Sequence, residues 1–144
     1  MTTVKSNNPQ NCINANLRKA TRAVTNLYAQ EMHETELHRT QFTLLSTISG
    51  YKECTVTELA AHMAMDQTTV TRSVDKLRKA GYVEAIAGED RRTRILRLTD
   101  SGREKVETAY PAWQRAQRQV WEALGPEKSQ QLLTLLNEVT ELAK

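Results

Sequence analysis

The sequence has few of the residues that cross-link a chain or interrupt its helices: two cysteines, three prolines and five glycines in 144 residues. Cys12 and Cys54 are too few for a disulfide framework or a zinc knuckle, so both are expected to be free thiols. With 39% apolar and 26% charged residues, the composition is that of a folded globular protein and excludes collagen-like and disordered chains. We therefore expect one domain over residues 1–144.

Long apolar runs are lacking as well. No segment approaches the roughly 20 apolar residues that a membrane span needs, and the N-terminal stretch MTTVKSNNPQNC has no apolar core of a secretory signal. These absences predict a cytoplasmic protein with no membrane partner.

Patterns for metal binding and catalysis are also missing. His33 and His38 are five residues apart, which puts them on different faces of a helix, and no strong ligand cluster surrounds them or His62. The sequence has no glycine-rich phosphate loop, nucleophile elbow or paired His and Glu metal motif. We therefore expect no metal site, no cofactor and no enzyme activity.

What the sequence does contain is a succession of amphipathic helical patterns. The first has an apolar seam of Ile13, Leu17, Ala20, Val24 and Leu27. A second apolar cluster precedes Gly50, which is expected to close that helix. A long pattern from Thr99 ends at Gly125 and contains Pro111, which predicts a kink near 107–111 or, as the alternative, a break. Pro126 suits the first position of a last helix.

Between these helices lie two short helices joined by a very short turn. Thr55 and Glu58 have the spacing of a capping box, which predicts a helix over about 56–63. Asp66 is placed to cap a second helix that Gly81 ends. Ala60 is expected at the helix crossing. Ala64 stands where such turns often have glycine, which alanine tolerates if the backbone need not be left-handed.

Two β-prone segments, YVEAI and RILRL, flank the polar turn AGEDRRT and predict a hairpin. A helix pair followed by a hairpin is the pattern of a winged helix-turn-helix. The predicted fold is therefore mainly α with a small β-hairpin wing, in which the winged lobe is flanked by N- and C-terminal helices.

Positive charge is concentrated in the same region. Residues 66–105 carry ten Lys and Arg against seven Asp and Glu, whereas the two flanking stretches together are neutral. The outward face of the second helix is predicted to carry short hydroxyls, an amide and cations that can approach base edges and phosphates: Gln67, Thr68, Thr69, Thr71, Arg72 and Lys76. Double-stranded DNA is the expected partner.

From the helix-turn-helix through the wing, the sequence resembles the multiple-antibiotic-resistance regulator (MarR) family. The family's wing pattern is matched by Asp90, Arg92, Leu98, Thr99 and Gly102. The resemblance implies a homodimeric transcriptional regulator, usually a repressor, that binds a pseudo-palindromic operator and is released by a small ligand or by oxidation.

The resemblance also implies roles for wing residues. Arg92 matches the wing-tip arginine that enters the minor groove, and Asp90 matches the aspartate expected to hold it as an ion-pair partner. Arg91 and Arg94 are further candidates for DNA contact in the wing. Arg97 has no specific assignment, so loss of Arg92 is expected to weaken DNA binding far more than loss of Arg97.

Dimerisation is expected through residues 10–36 and 106–144, which flank a DNA-binding lobe at 40–104. One small lobe cannot cover both the seam of the first helix and the leucine stripe of the last. The residues predicted at the dimer interface are Ile13, Leu17, Val24, Leu132, Leu135, Leu136, Val139 and Leu142.

The releasing signal and the mode of DNA binding stay open at this point. A small aromatic molecule is the family's usual effector, with no residue assigned as its ligand. A thiol-based redox sensor would use Cys12, near the start of the first helix. A non-specific architectural DNA-binding protein is the other alternative.

Overall fold

Six α-helices and three short strands are found in residues 4–144, the part of the chain that the computed structural model describes. In chain order they are α1 (Ile13–Met32), α2 (Arg39–Tyr51), β1 (Cys54–Thr55), α3 (Val56–Met63), α4 (Gln67–Lys79), β2 (Val83–Ala87), β3 (Arg94–Leu98), α5 (Asp100–Leu124) and α6 (Pro126–Glu141). Short 3-10 turns at Pro9–Asn11 and His33–Thr35 precede and follow α1. The winged helix-turn-helix arrangement predicted from the sequence is confirmed.

The two helices of the helix-turn-helix begin at the predicted caps. The Thr55 hydroxyl accepts the backbone N–H of Glu58 at 3.1 Å, and the Glu58 carboxylate accepts the backbone N–H of Thr55 at 2.8 Å. Asp66 Oδ2 accepts the backbone N–H of Thr69 at 2.9 Å, and Asp66 Oδ1 accepts the Thr69 hydroxyl at 2.7 Å. These bonds satisfy amide groups that have no partner within a helix, so they fix the first residues of α3 and α4.

Two turns differ from the expectation. Gly50 lies inside α2, and the helix is closed instead by Lys52, which takes a φ of 65°. Ala64 adopts the left-handed conformation, with φ 51° and ψ 43°. The three-residue turn requires this conformation because Ala64 and Met65 donate their amides back to the last carbonyls of α3. Alanine is strained there by about 1 kcal/mol or more.

The sheet has the strand order β1, β3, β2, with both pairs antiparallel. The predicted hairpin is β2 with β3, in which Ala85 faces Leu96. Strand β1 was not predicted, because two residues are too few to show a period. It adds Cys54 beside Leu96 and ties the start of the helix-turn-helix to the wing.

A single core cluster of buried apolar residues joins the helix-turn-helix, α2 and α5. The predicted inward face of α4, formed by Val70, Val74 and Leu77, is buried, as are Leu59 and Ala60 of α3. Trp113 of α5 stacks on Phe42 of α2, with ring centroids 6.0 Å apart. Helix α5 runs through Pro111 without interruption, so the alternative of a helix break is wrong.

The first and last helices pack on α5 and leave much of their apolar surface exposed. Helix α1 is joined to α5 by Arg115 with Glu31 at 3.1 Å and by the Tyr28 hydroxyl, which donates to Gln117. In α6 only Ser129 is buried. The exposed apolar side chains of these two helices and of the C-cap of α6 are Ile13, Val24, Leu132, Leu133, Leu135, Leu136, Val139 and Leu142.

Candidate nucleic-acid interface

Helix α4 presents a polar face to solvent. All six side chains predicted for this face are exposed: Gln67, Thr68, Thr69, Thr71, Arg72 and Lys76. The hydroxyl of Thr69 is already engaged, since it donates to the Asp66 cap. Asp75, on the same helix, lies 3.7 Å from Arg78. The face therefore offers the amide of Gln67, the hydroxyls of Thr68 and Thr71, and the cations of Arg72 and Lys76. Neither cation pairs with a carboxylate within residues 4–144.

The N-cap of α4 is stabilised in its charged form. The pKa of Asp66 is lowered, first by the hydrogen bond from the Thr69 hydroxyl and then by that from the Thr69 backbone N–H. A negative charge at this end also suits the helix dipole. Asp66 is thus an ionised cap that fixes where the exposed face of α4 begins.

The wing turn is held by Asp90, but not in the way expected. Asp90 Oδ1 accepts the backbone N–H of Arg92 at 3.1 Å, and its carbonyl accepts the N–H of Thr93 at 2.9 Å. No ion pair between Asp90 and the Arg92 guanidinium occurs in the described structure, so the predicted ion-pair partnership is wrong. The short carboxylate reaches the amide two residues on, which is the usual bond of aspartate in turns. Asp90 shapes the loop and leaves the guanidinium free.

The four wing arginines fall into two groups. Arg91, Arg92 and Arg94 are exposed, and none of them contacts an acidic side chain within residues 4–144. Arg97 is half-buried and pairs with Glu84 on β2 and, at 3.8 Å, with Glu53. Its pKa is raised, first by the hydrogen bond to Glu84 and then by the charges of Glu84 and Glu53. Three guanidinium groups are therefore available to a polyanion, and the fourth is already paired with two carboxylates.

Two cavities that the sequence did not indicate lie against α2 and α5. The larger, about 560 Å³, is lined by aromatic and polar residues that include Phe42, Tyr51, His62, Tyr110 and Trp113. Tyr51 Oη lies 3.3 Å from His62 Nδ1 at its edge. The smaller, about 330 Å³, lies among α1, Arg39 and the two methionines of the helix-turn-helix turn. Residues from three helices line the larger cavity and residues from four line the smaller, and no local sequence pattern could reveal that convergence.

Cys12 is exposed and precedes the first residue of α1. Cys54 is buried, and burial raises the pKa of its thiol, with the charge of Glu58 as the second cause. Among the described residues, no helix is long and apolar enough to cross a membrane, and no cluster of candidate metal ligands is found.

A hydroxyl-rich helix exposed after a three-residue turn, beside a hairpin with free arginines at its tip, defines the class of winged helix-turn-helix DNA-binding proteins. The sequence profile of the MarR family matches residues 35–93, which include the helix-turn-helix and the wing turn. The chain belongs to the MarR family of transcriptional regulators.

Individual relatives agree with this assignment. The HTH-type transcriptional regulator BilQ of Clostridium symbiosum is 36% identical over 87 residues, which are 60% of this chain and 60% of BilQ. The transcriptional repressor MprA of Escherichia coli K12 is 29% identical over 99 residues, 67% of this chain and 56% of MprA. The alignments thus span less than two thirds of both curated relatives.

Similarity over nearly the whole chain comes from a solved structure. The M. tuberculosis transcriptional regulator MOSR, crystallised in complex with DNA, is 30% identical and superposes with a TM-score of 0.81. The superposition covers 92% of this chain and 98% of MOSR. The terminal helices α1 and α6 are therefore part of the shared fold as well as the winged lobe.

Proposed function

We propose that the protein is a homodimeric transcriptional repressor that binds a pseudo-palindromic operator and is released by a small molecule. The observation that carries the DNA-binding part is the set of exposed, unpaired side chains on α4 and at the wing tip. Within residues 4–144, Arg97, Arg78, Arg103 and Arg115 have acidic partners, whereas Arg72 on α4 and Arg91, Arg92 and Arg94 on the wing have none. Their freedom is explained if phosphates and bases supply the missing partners.

Helix α4 is proposed to lie in the major groove. Short side chains at Thr68 and Thr71 let the helix backbone approach closely, and Arg72 can donate two parallel hydrogen bonds to guanine. Arg92 at the wing tip is proposed to enter the adjacent minor groove, where the negative potential is concentrated. Gln67, Thr69 and Lys76 complete the contact surface on the helix, and Arg91 and Arg94 on the wing.

A homodimer is proposed because one lobe offers few contacts and because α6 exposes a leucine stripe. Two-fold symmetry doubles the number of phosphate and base contacts and matches a pseudo-palindromic site. The stripe of Leu132, Leu135, Leu136, Val139 and Leu142, together with Ile13, Leu17 and Val24 of α1, is the surface proposed to be covered by the second subunit.

Repression and its release rest on two further observations. MprA, one of the relatives, is a transcriptional repressor. The cavity of about 560 Å³ has the size of a small-molecule site, and its aromatic walls suit a planar ligand. His62 and Tyr51 on its edge belong to α3 and α2, so a ligand there would act on the position of the helix-turn-helix.

Selection of duplexes from a random DNA library tests the DNA-binding part. The enriched sequences should contain two inverted half-sites about one helical turn apart. Arg92→Ala should weaken binding to the selected site about 5- to 150-fold, whereas the matched variant Arg97→Ala should stay within about threefold because Arg97 is already paired. Equal losses of affinity in the two variants would show that the wing contributes only non-specific electrostatic attraction. Failure to enrich any sequence would favour a non-specific architectural protein.

Fluorescence tests the release. Trp121→Phe leaves Trp113, a cavity residue, as the reporter, and small aromatic acids and phenols are added as probes. An effector should quench Trp113 and dissociate the DNA complex over the same concentration range. Dissociation of DNA with no response from Trp113 would place the effector elsewhere.

A further inference from the structure

A third concave site lies between α4 and the wing. It is a cleft of about 270 Å³ whose floor includes Val74 and Leu96. Its rim is polar, with Thr71, Asp75 and Arg78 on the helix side and Arg94 on the strand side. The cleft thus joins the recognition helix to the first residue of β3.

The charges of the cleft do not cancel. Asp75 and Arg78 lie 3.7 Å apart and neutralise one another. Arg94 has no acidic partner in the part of the chain that is described, and the Thr71 hydroxyl, which lines the cleft, makes no hydrogen bond there. One positive charge and one hydroxyl donor are therefore left over, which together suit a singly charged anion with several acceptor oxygens.

The position of the cleft indicates which anion it would bind. If α4 lies in a major groove about 12 Å wide and Arg92 enters the adjacent minor groove, the sugar-phosphate strand that separates the two grooves must pass between helix and wing. The cleft between Thr71 and Arg94 is the space that this strand crosses. The backbone of Arg94 is paired with Ala87 across the hairpin, which fixes where its side chain starts at the edge of the cleft.

We infer that the cleft is a phosphodiester-binding site in which Arg94 and Thr71 hold one backbone phosphate from opposite sides. The inference rests on the proposed function and extends it: Arg92 reads the groove, whereas Arg94 and Thr71 fix the distance between helix and wing on the DNA. Such a contact carries no sequence information, so it sets the register of the protein on the duplex and not its preference for bases.

Salt titrations separate this role from direct readout. The affinity for the selected operator and for a scrambled duplex is measured between about 50 and 200 mM salt. In Arg94→Gln the slope of log K against log salt should become shallower by about 0.9 for each cleft in the complex, with the ratio of operator to scrambled affinity unchanged. Arg94→Lys should keep the slope because it keeps the charge.

Two variants serve as comparisons. Thr71→Val removes the hydroxyl without changing the charge, so affinity should fall on both duplexes while the slope stays the same. Arg97→Gln, three residues further along the same strand, should leave the slope unchanged because Glu84 and Glu53 already neutralise Arg97. Circular dichroism of each variant checks that it is folded.

Single methylphosphonate substitutions then locate the phosphate. One position, at the boundary between major and minor grooves, should weaken wild-type binding but have no further effect on Arg94→Gln. An unchanged slope in Arg94→Gln, or a methylphosphonate effect equal in both proteins at every position, overturns the cleft site while leaving the proposed function intact. If the wild type shows no preference for an operator, the proposed function is overturned instead. The change in salt slope that Arg94→Gln causes on scrambled DNA then still tests the cleft.

Discussion

The winged lobe and helix α6 carry similar leucine-rich patterns but bury them differently. Leu59 and Leu77 of the lobe are almost entirely buried within one chain, whereas Leu135 of α6 is 57% exposed. The lobe covers its apolar residues with α2, α5 and its own sheet. The one buried residue of α6 is Ser129, whose hydroxyl donates to the Trp121 carbonyl of α5.

This difference separates the apolar burial that stabilises a single folded chain from the burial that only an assembly could provide. Burying a leucine contributes about 1.5–3 kcal/mol. In the lobe that energy is gained when a single chain folds. In α6 it is still available, and the proposed second subunit would gain it on association. The following variants break or sharpen this contrast, beginning with the largest expected effect.

Leu135→Glu should dissociate the proposed dimer. A charge placed in the centre of the stripe removes apolar contact from both subunits and must be desolvated, so the dimer dissociation constant should rise at least about 100-fold. Sedimentation velocity measures it. Asn137→Glu is the control, because it adds the same charge about 200° around α6. If both variants stay dimeric, the stripe is not the interface.

Leu59→Ala should destabilise the lobe by about 2–5 kcal/mol, since it leaves a cavity between α3 and the rest of the core. Urea unfolding followed by circular dichroism gives the value. In a monomeric background such as Leu135→Glu, Leu142→Ala removes the same atoms from a side chain that is 84% exposed and should cost less than about 0.5 kcal/mol. Comparable costs would contradict the contrast between the two regions.

Gly102→Ala should cost about 1–3 kcal/mol and distort the wing. A Cβ at Gly102 would lie 2.0 Å from the Tyr82 carbonyl oxygen, so the start of α5 and the residue before β2 would have to separate. Gly50→Ala is the opposite case: no atom lies within 4 Å of its added Cβ, and the helix α2 should gain about 0.5–1 kcal/mol. In thermal unfolding, the midpoint should be lower for Gly102→Ala and higher for Gly50→Ala than for the wild type.

The smallest effect is the pH dependence of the α4 cap. Because hydrogen bonds from Thr69 lower the pKa of Asp66, the stabilisation is present above the pKa of the unfolded carboxyl group and is lost as pH falls through the lower folded value. Asp66→Asn caps the helix without titrating there. The urea midpoint of the wild type should therefore fall relative to that of Asp66→Asn as the pH is lowered. A difference independent of pH would contradict the role of the charge.

Features set by neighbouring residues could be predicted from the sequence. Thr55 with Glu58 and Asp66 with Thr69 act within three residues, so the start of both helices was readable, as was the buried face of α4. Strand β1 escaped prediction because it exists only through pairing with β3, forty residues away. The pairing of Arg97 with Glu84 also depends on the folded hairpin, and the Asp90 carboxylate accepts the backbone amide of Arg92 where an ion pair with the guanidinium was expected. Which residues touch DNA or a second subunit stays a prediction.

Helix α5 begins two residues after β3 ends and extends over 25 residues to the turn that leads into α6. At 1.5 Å per residue it is a lever about 37 Å long with the wing at one end and the proposed subunit contact at the other. A rotation of only about 5° about the α6 end would carry the wing about 3 Å, half the width of a minor groove. In the proposed dimer, a change in how the two subunits meet would thereby be amplified at the arginines that are proposed to contact DNA.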